Sequence, residues 1–219
     1  MTNLCKTIPD TYEIRDGHKV YDFDQCLDYI AYQGKIHYGQ SFRIETEDLS
    51  VVSQLLTYMI QDVAAAQALN IDLKKGLLLT GPIGCGKTSL LHLLKAFASP
   101  MGYYKIKTCR EVSFEFSKNG YTALTPYTQK QGQQIRLSGY CFDDLGAEQQ
   151  IKHYGNECNV LGEILLSRYD YFIHQGCVTH ITTNLSASEI EQIYGNRVRS
   201  RMREMFNLIS FGVGSRDKR

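Results

Sequence analysis

Residues 77–94 read LLLTGPIGCGKTSLLHLL. An apolar run gives way to three glycines, then to Lys87-Thr88, then to leucines at helical spacing. The segment Gly81-Pro82-Ile83-Gly84-Cys85-Gly86-Lys87-Thr88 fits G-x-x-x-x-G-K-[S/T] throughout, with a strand pattern before it and a helix pattern after it. Glycines allow successive backbone N–H groups to turn inward around an anion. The unpaired N–H groups opening the next helix aim at the same point. This predicts a triphosphate cradle built from Gly81 to Ser89. Lys87 is expected to reach the β- and γ-phosphates of ATP, and the Thr88 hydroxyl to ligate Mg²⁺.

Upstream of this turn, Leu49, Val52, Leu56, Met59 and Val63 recur at three and four, which predicts one helix from Glu47 to near Asn70. A short buried strand is expected over Gly76 to Thr80. Downstream, Lys87 to Phe97 reads as a helix stopped by Pro100 and Gly102. Strands are expected in YYKIKTC, over Tyr140 to Asp144, in CVTHITTN and in FNLISFG. A helix is expected from about Asn159 to Gln175, and two more in SASEIEQIYG and NRVRSRMREM. REVSFEFSKNG fits helix or strand, and 120–132 a surface loop or frayed helix. Strands alternating with helices predict an α/β three-layer sandwich around a mainly parallel sheet. Residues 46–219 form this P-loop domain. Residues 1–45, polar and aromatic with one short helix over Phe23 to Tyr32, are too few to fold alone. They form a small lobe packed on the domain or an arm for a partner.

Bulk composition narrows the class. With 43% hydrophobic residues in 219, the chain can bury a core and does not read as disordered. Lys plus Arg number 24 against 23 Asp plus Glu, a balance that neither requires nor excludes nucleic acid. Seven scattered cysteines without a CxxC pair suggest reduced thiols in a cytoplasmic protein. No apolar run reaches the length of a membrane span, so no membrane partner is expected.

A nucleotide site needs an acid for the metal and a base for the attacking water. GYCFDDLG supplies both at one strand end, Asp143 for Mg²⁺ and Asp144 to polarise the water. In HITTNLS, alternation points Thr182 and Asn184 one way and Thr183 the other. Asn184 then contacts the water or the γ-phosphate, or else caps the next helix. YGNRVRSRMREM carries Arg197, Arg199, Arg201 and Arg203 beside an apolar stripe of Val198, Met202 and Met205. Those arginines form a solvated basic face, or one of them crosses a subunit interface to the γ-phosphate of a neighbour.

Together these motifs resemble the AAA+ ATPases, and within them the DnaC/IstB-like clade of bacterial helicase loaders and transposition helper ATPases. The resemblance runs from about residue 47 to 216. It rests on Gly81 to Thr88, on the strand ending Asp143-Asp144-Leu145-Gly146, on Thr182-Thr183-Asn184-Leu185, and on Tyr194 to Met202. That last run is similar to the clade's box VII, which matches the arginine finger to Arg201. The resemblance implies sheet order 5-1-4-3-2 and a homo-oligomer with ATP at its subunit interfaces. It also implies single- or double-stranded DNA, and a replicative helicase or a transposase, as partners. Three departures are visible: no helical lid fits after Gly212, the amino-terminal arm is short, and the DNA-facing positives and aromatics are few (Lys118, Lys130, Arg136, Lys152, Tyr121, Tyr127). Two other readings use the same turn: a nucleotide-gated scaffold that hydrolyses little, and a small phosphotransferase.

Overall fold

Asp16 and Gly17 both take positive φ, 50° and 78°, the geometry that joins two paired strands through a two-residue turn. They connect β1 (Tyr12–Arg15) to β2 (His18–Tyr21) in an antiparallel hairpin that the sequence reading did not anticipate. These coordinates come from a computed structural model describing residues 5–100, 102–130, 132, 137–148, 151–153, 156–212 and 214–218, with only the backbone of 151–153, 156 and 157. Arg136 and the side chain of Lys152 therefore lie outside the described residues. Helix α1 (Phe23–Tyr38) is capped by Asp22, whose carboxylate accepts from Gln25 N, and it runs past the expected end at Tyr32.

The single helix expected from Glu47 is two. α2 (Leu49–Ile60) ends where Gln61 turns left-handed, with φ 60°, and Asp62 then caps α3 (Val63–Ala68) by accepting from Ala65 N. Then follow β3 (Gly76–Thr80), α4 (Lys87–Leu94), β4 (Tyr104–Thr108), α5 (Cys109–Asn119), α6 (Thr125–Thr128) and β5 (Gly139–Leu145). A short hairpin of β6 (Ile151–His153) and β7 (Asn156–Cys158) precedes α7 (Val160–Gln175), β8 (Thr179–Thr183), α8 (Ala187–Met205) and β9 (Phe206–Ser210). REVSFEFSKNG thus resolves as helix, started by a capping box between Thr108 and Glu111. α8 is two helices abutting at Gly195, whose φ of 84° and ψ of 160° are not helical, as the two sequence patterns predict.

The central sheet runs β4-β5-β8-β3-β9 with every pairing parallel. Numbered along the chain, that is the expected order 5-1-4-3-2. A parallel sheet buries both faces, which is why its strands read as continuous apolar runs. Leu77 and Leu79 of β3, Cys141 of β5 and Ile209 of β9 pack with α1, α2 and α4 on one face. Tyr140, Phe142, Ile181 and Phe206 pack with α5, α7 and α8 on the other. Cys26, Tyr29 and Ile30 of α1 belong to the first cluster, so the amino-terminal segment contributes to the core beneath α4. After β9, the described residues form no helix. None of the described helices is long and apolar enough to cross a membrane.

The sheet also buries a titratable ring. His180 of β8 is 1% exposed, accepts at Nδ1 from Leu77 N at 3.1 Å, and meets the rings of Tyr58 and Tyr104 edge-on. Burial first, and Arg168 second, push its pKa down to about 3. Below its ordinary value the unfolded chain takes up a proton that the folded chain refuses, so stability falls as pH drops from about 6.5 towards 3. The expected loss is about 3 kcal/mol by pH 4.5. His180→Gln keeps an acceptor for Leu77 N and removes this titration. Urea midpoints at pH 7 and 4.5 should differ less in that variant than in the wild type. Equal differences would mean that His180 does not carry the effect.

Candidate nucleotide site

β3 ends at Thr80, α4 starts at Lys87, and the turn between them is held open by backbone that side chains resist. Gly84 has φ 79°, and a Cβ added there would come within 2.1 Å of Asp217 Oδ1. Gly86 has φ 103° and opens α4. Ile83 at the tip is exposed while Cys85 is buried. Carboxyl-terminal residues brace the turn from behind. Lys218 N donates to Gly84 O, and Lys218 Nζ reaches both Cys85 O at 3.0 Å and the buried Asp48 carboxylate at 2.5 Å. Nothing in the sequence pattern announces that brace, because its ends are far apart in the chain.

Lys87 is 7% exposed, and its ammonium donates to Gly81 O and Pro82 O, both at 2.8 Å, and to Asn184 Oδ1 at 2.5 Å. Asn184 in turn donates from Nδ2 to Asp144 Oδ1 at 3.0 Å. Thr88, whose side chain faces solvent, donates to Asp143 Oδ1 at 2.8 Å. Five residues expected at the site thus form one cluster carried by α4, β5 and the end of β8, its two bonded groups joined through the Thr182 hydroxyl. Asn184 serves as a link in it, and Ser186 rather than Asn184 caps α8. The Tyr38 hydroxyl hydrogen-bonds His92 Nδ1 at 3.0 Å and ties the end of α1 to the helix that opens at the cradle.

Burial first, then Glu148, Asp143 and Asp144, push the Cys109 thiol well above its ordinary pKa. A cavity of ≈ 460 Å³ opens beside the acids, lined by Arg110, Ser113 and Phe114 among others. A hydroxyl and a carboxylate side by side are the hard oxygen donors that Mg²⁺ favours. With the ammonium and the glycine cradle they fit a magnesium–triphosphate.

Arg201 stands outside the cluster. Its guanidinium lies 4.6 Å over the ring of Tyr169 on α7, and Val198, Met202 and Met205 on the same helix are buried as expected. Arg199 pairs with Glu191. Among the DNA-facing candidates, Tyr121 is exposed, whereas Tyr127 is 2% exposed with its hydroxyl on Glu115 at 2.5 Å. Tyr127 is therefore not available to stack on a base. Sequence reading also passed over Thr182 as a contributor, although its hydroxyl touches Asp143 Oδ1 at 2.6 Å and Asp144 N at 2.8 Å.

No protein-family model and no curated protein matches the chain. Among solved structures, a candidate primosome component from Streptococcus pyogenes serotype M3 is similar over 78% of this chain and 83% of its own, at 19% identity and TM-score 0.54. The DnaC helicase loader matches at 21% identity and TM-score 0.49, over 73% of this chain and 97% of its own. DnaI matches at 19% identity and TM-score 0.47, over 95% and 92%. The first likeness shows a shared fold.

Proposed function

We propose that the chain is an AAA+ ATPase of the DnaC/IstB-like clade, hydrolysing ATP to ADP and phosphate and acting on DNA through nucleotide-dependent self-assembly. The observation that carries this reading is the unbroken chain of contacts from Lys87 through Asn184 to Asp144. It joins the phosphate turn to the acid that would activate water. Thr88 and Asp143 would hold Mg²⁺, which when bound draws charge off the phosphate oxygens. Lys87 neutralises the β- and γ-phosphates, and the backbone N–H groups from Gly81 to Ser89, Pro82 excepted, orient them. Asp144 accepts the proton of the attacking water, and Asn184 sets the angle between that carboxylate and the ammonium. Arg201 of a neighbouring subunit completes the charge compensation.

Of the two roles in this clade, helicase loading in replication is preferred to target selection in transposition, because the fold neighbour above is ascribed to a primosome. The test is ATPase activity resolved by particle size at fixed protein concentration, with and without single- and double-stranded DNA. Growth in size with Mg·ATP, and turnover raised severalfold by single-stranded DNA alone, is the expected result. Stimulation by duplex alone would favour the transposition role. Tight ATP binding with background turnover under every condition would select the nucleotide-gated scaffold. Transfer of phosphate to a small acceptor without release of free phosphate would replace the reading by a phosphotransferase.

A further inference from the structure

A regular strand sends consecutive side chains to opposite faces, so a straight β5 could not aim both Asp143 and Asp144 at the phosphate turn. β5 is not straight. It pairs with β8 as Phe142↔Ile181 and then slips register to Leu145↔Thr183. Asp143 and Asp144 together therefore oppose one residue, Thr182, which is the geometry of a bulge, a device that re-aims a side chain. Asp144 absorbs the extra length at φ 61°, a left-handed conformation that non-glycine residues adopt at a cost.

A bulge also strands a backbone N–H that the ladder no longer meets. Here the Thr182 hydroxyl meets it, accepting from Asp144 N at 2.8 Å. The same hydroxyl donates to Asp143 Oδ1 at 2.6 Å, beside the Thr88 hydroxyl that donates to that same oxygen. Thr182 is 1% exposed, so water does not compete for either bond. Only a group that donates and accepts at once can fill this position.

We propose that Thr182 is the positioning residue of the acid pair: its hydroxyl fixes the β5 bulge so that Asp143 faces Thr88 and Asp144 faces Asn184. The proposal deepens the ATPase reading and rests on it for its catalytic consequence, but the bulge itself can be tested without nucleotide. Thr182→Val keeps the shape and removes both bonds, while Thr182→Ser keeps both. Thr182→Ala is the second hydroxyl-free variant, should valine disturb folding.

Amide exchange across 143–146 in nucleotide-free protein should accelerate by about tenfold or more in the valine variant. With Mg·ATP, its kcat should fall by about ten- to a hundredfold with KM changed less than about threefold, because the aim of the acids is lost and the cradle is kept. Serine should restore exchange and kcat to within about threefold of wild type. Unchanged exchange in the valine and alanine variants would overturn the proposal. So would faster exchange with unchanged kcat, or a serine variant as impaired as valine, because the hydroxyl would then not suffice to hold the bulge. Wild-type protein that binds no Mg·ATP would instead overturn the ATPase reading, and the exchange comparison would still decide whether Thr182 holds the bulge.

Discussion

Lys87→Ala should lower the affinity for Mg·ATP by about a hundredfold or more and abolish turnover, with the melting temperature of the nucleotide-free protein shifted by only a few degrees. The ammonium is the single cation of the connected cluster, gathered by two loop carbonyls and Asn184. Those oxygens pre-position it at the mouth of the cradle. Each charge-assisted bond to phosphate is worth about 1.5–3 kcal/mol, so losing one or two removes roughly 3 kcal/mol, or two orders of magnitude in Kd. The carbonyls left behind belong to Gly81 and Pro82, which are half-buried rather than buried, so water can replace the ammonium, which limits the cost to folding. Lys87→Arg should not rescue, because a planar fork cannot reproduce a point charge among three converging oxygens. Titration of a fluorescent ATP analogue measures the effect. Affinity within threefold of wild type would remove the phosphate cradle from the account, and with it the proposed hydrolysis.

The parts of this fold that rest on local pattern could be read from the sequence. The strand–turn–helix over Gly76 to Leu94 is specified by adjacent residues, and the sheet order follows once the motifs suggest a family. Some local signals were present and unread. In YEIRDGHKVY, Asp16-Gly17 between two β-prone runs is a hairpin turn, and Asp62 is a cap signal inside what looked like one helix. Other features are not local. Arg168 is wholly buried, with its guanidinium on the carbonyls of Tyr127, Ser138 and Val178 and on the Thr179 hydroxyl. No periodicity distinguishes it from a surface arginine. The acids Asp143 and Asp144 were identified by type and place, but how both face one site depends on a register slip against β8. A one-residue slip reverses side-chain direction and leaves no mark on composition. Tyr127 shows the opposite case: an aromatic in a polar stretch reads as a stacking platform until Glu115 and the core claim it.

Arg201→Ala should leave Mg·ATP affinity within about threefold and lower turnover of the assembled protein by about a thousandfold, the loss expected for an arginine finger. The argument is geometric. Arg201 rests over Tyr169 of its own chain, while Lys87, Asn184 and Asp144 are bonded in sequence and Asp143 is bonded to Thr88, all without it. An arginine that served the site of its own subunit would join that cluster; one that serves a neighbour's site is displayed elsewhere. Two inactive variants separate these cases. Asp144→Asn retains Arg201 and lacks the base, whereas Arg201→Ala retains the base and lacks the finger. When equal amounts are mixed before ATP is added, random assembly makes about a quarter of interfaces from an intact acid on one subunit and an intact arginine on the next. Turnover should therefore rise to about a quarter of the wild-type rate from two near-zero parents. Mixtures as inactive as their parents, despite proven co-assembly, would mean that Arg201 does not act across the interface.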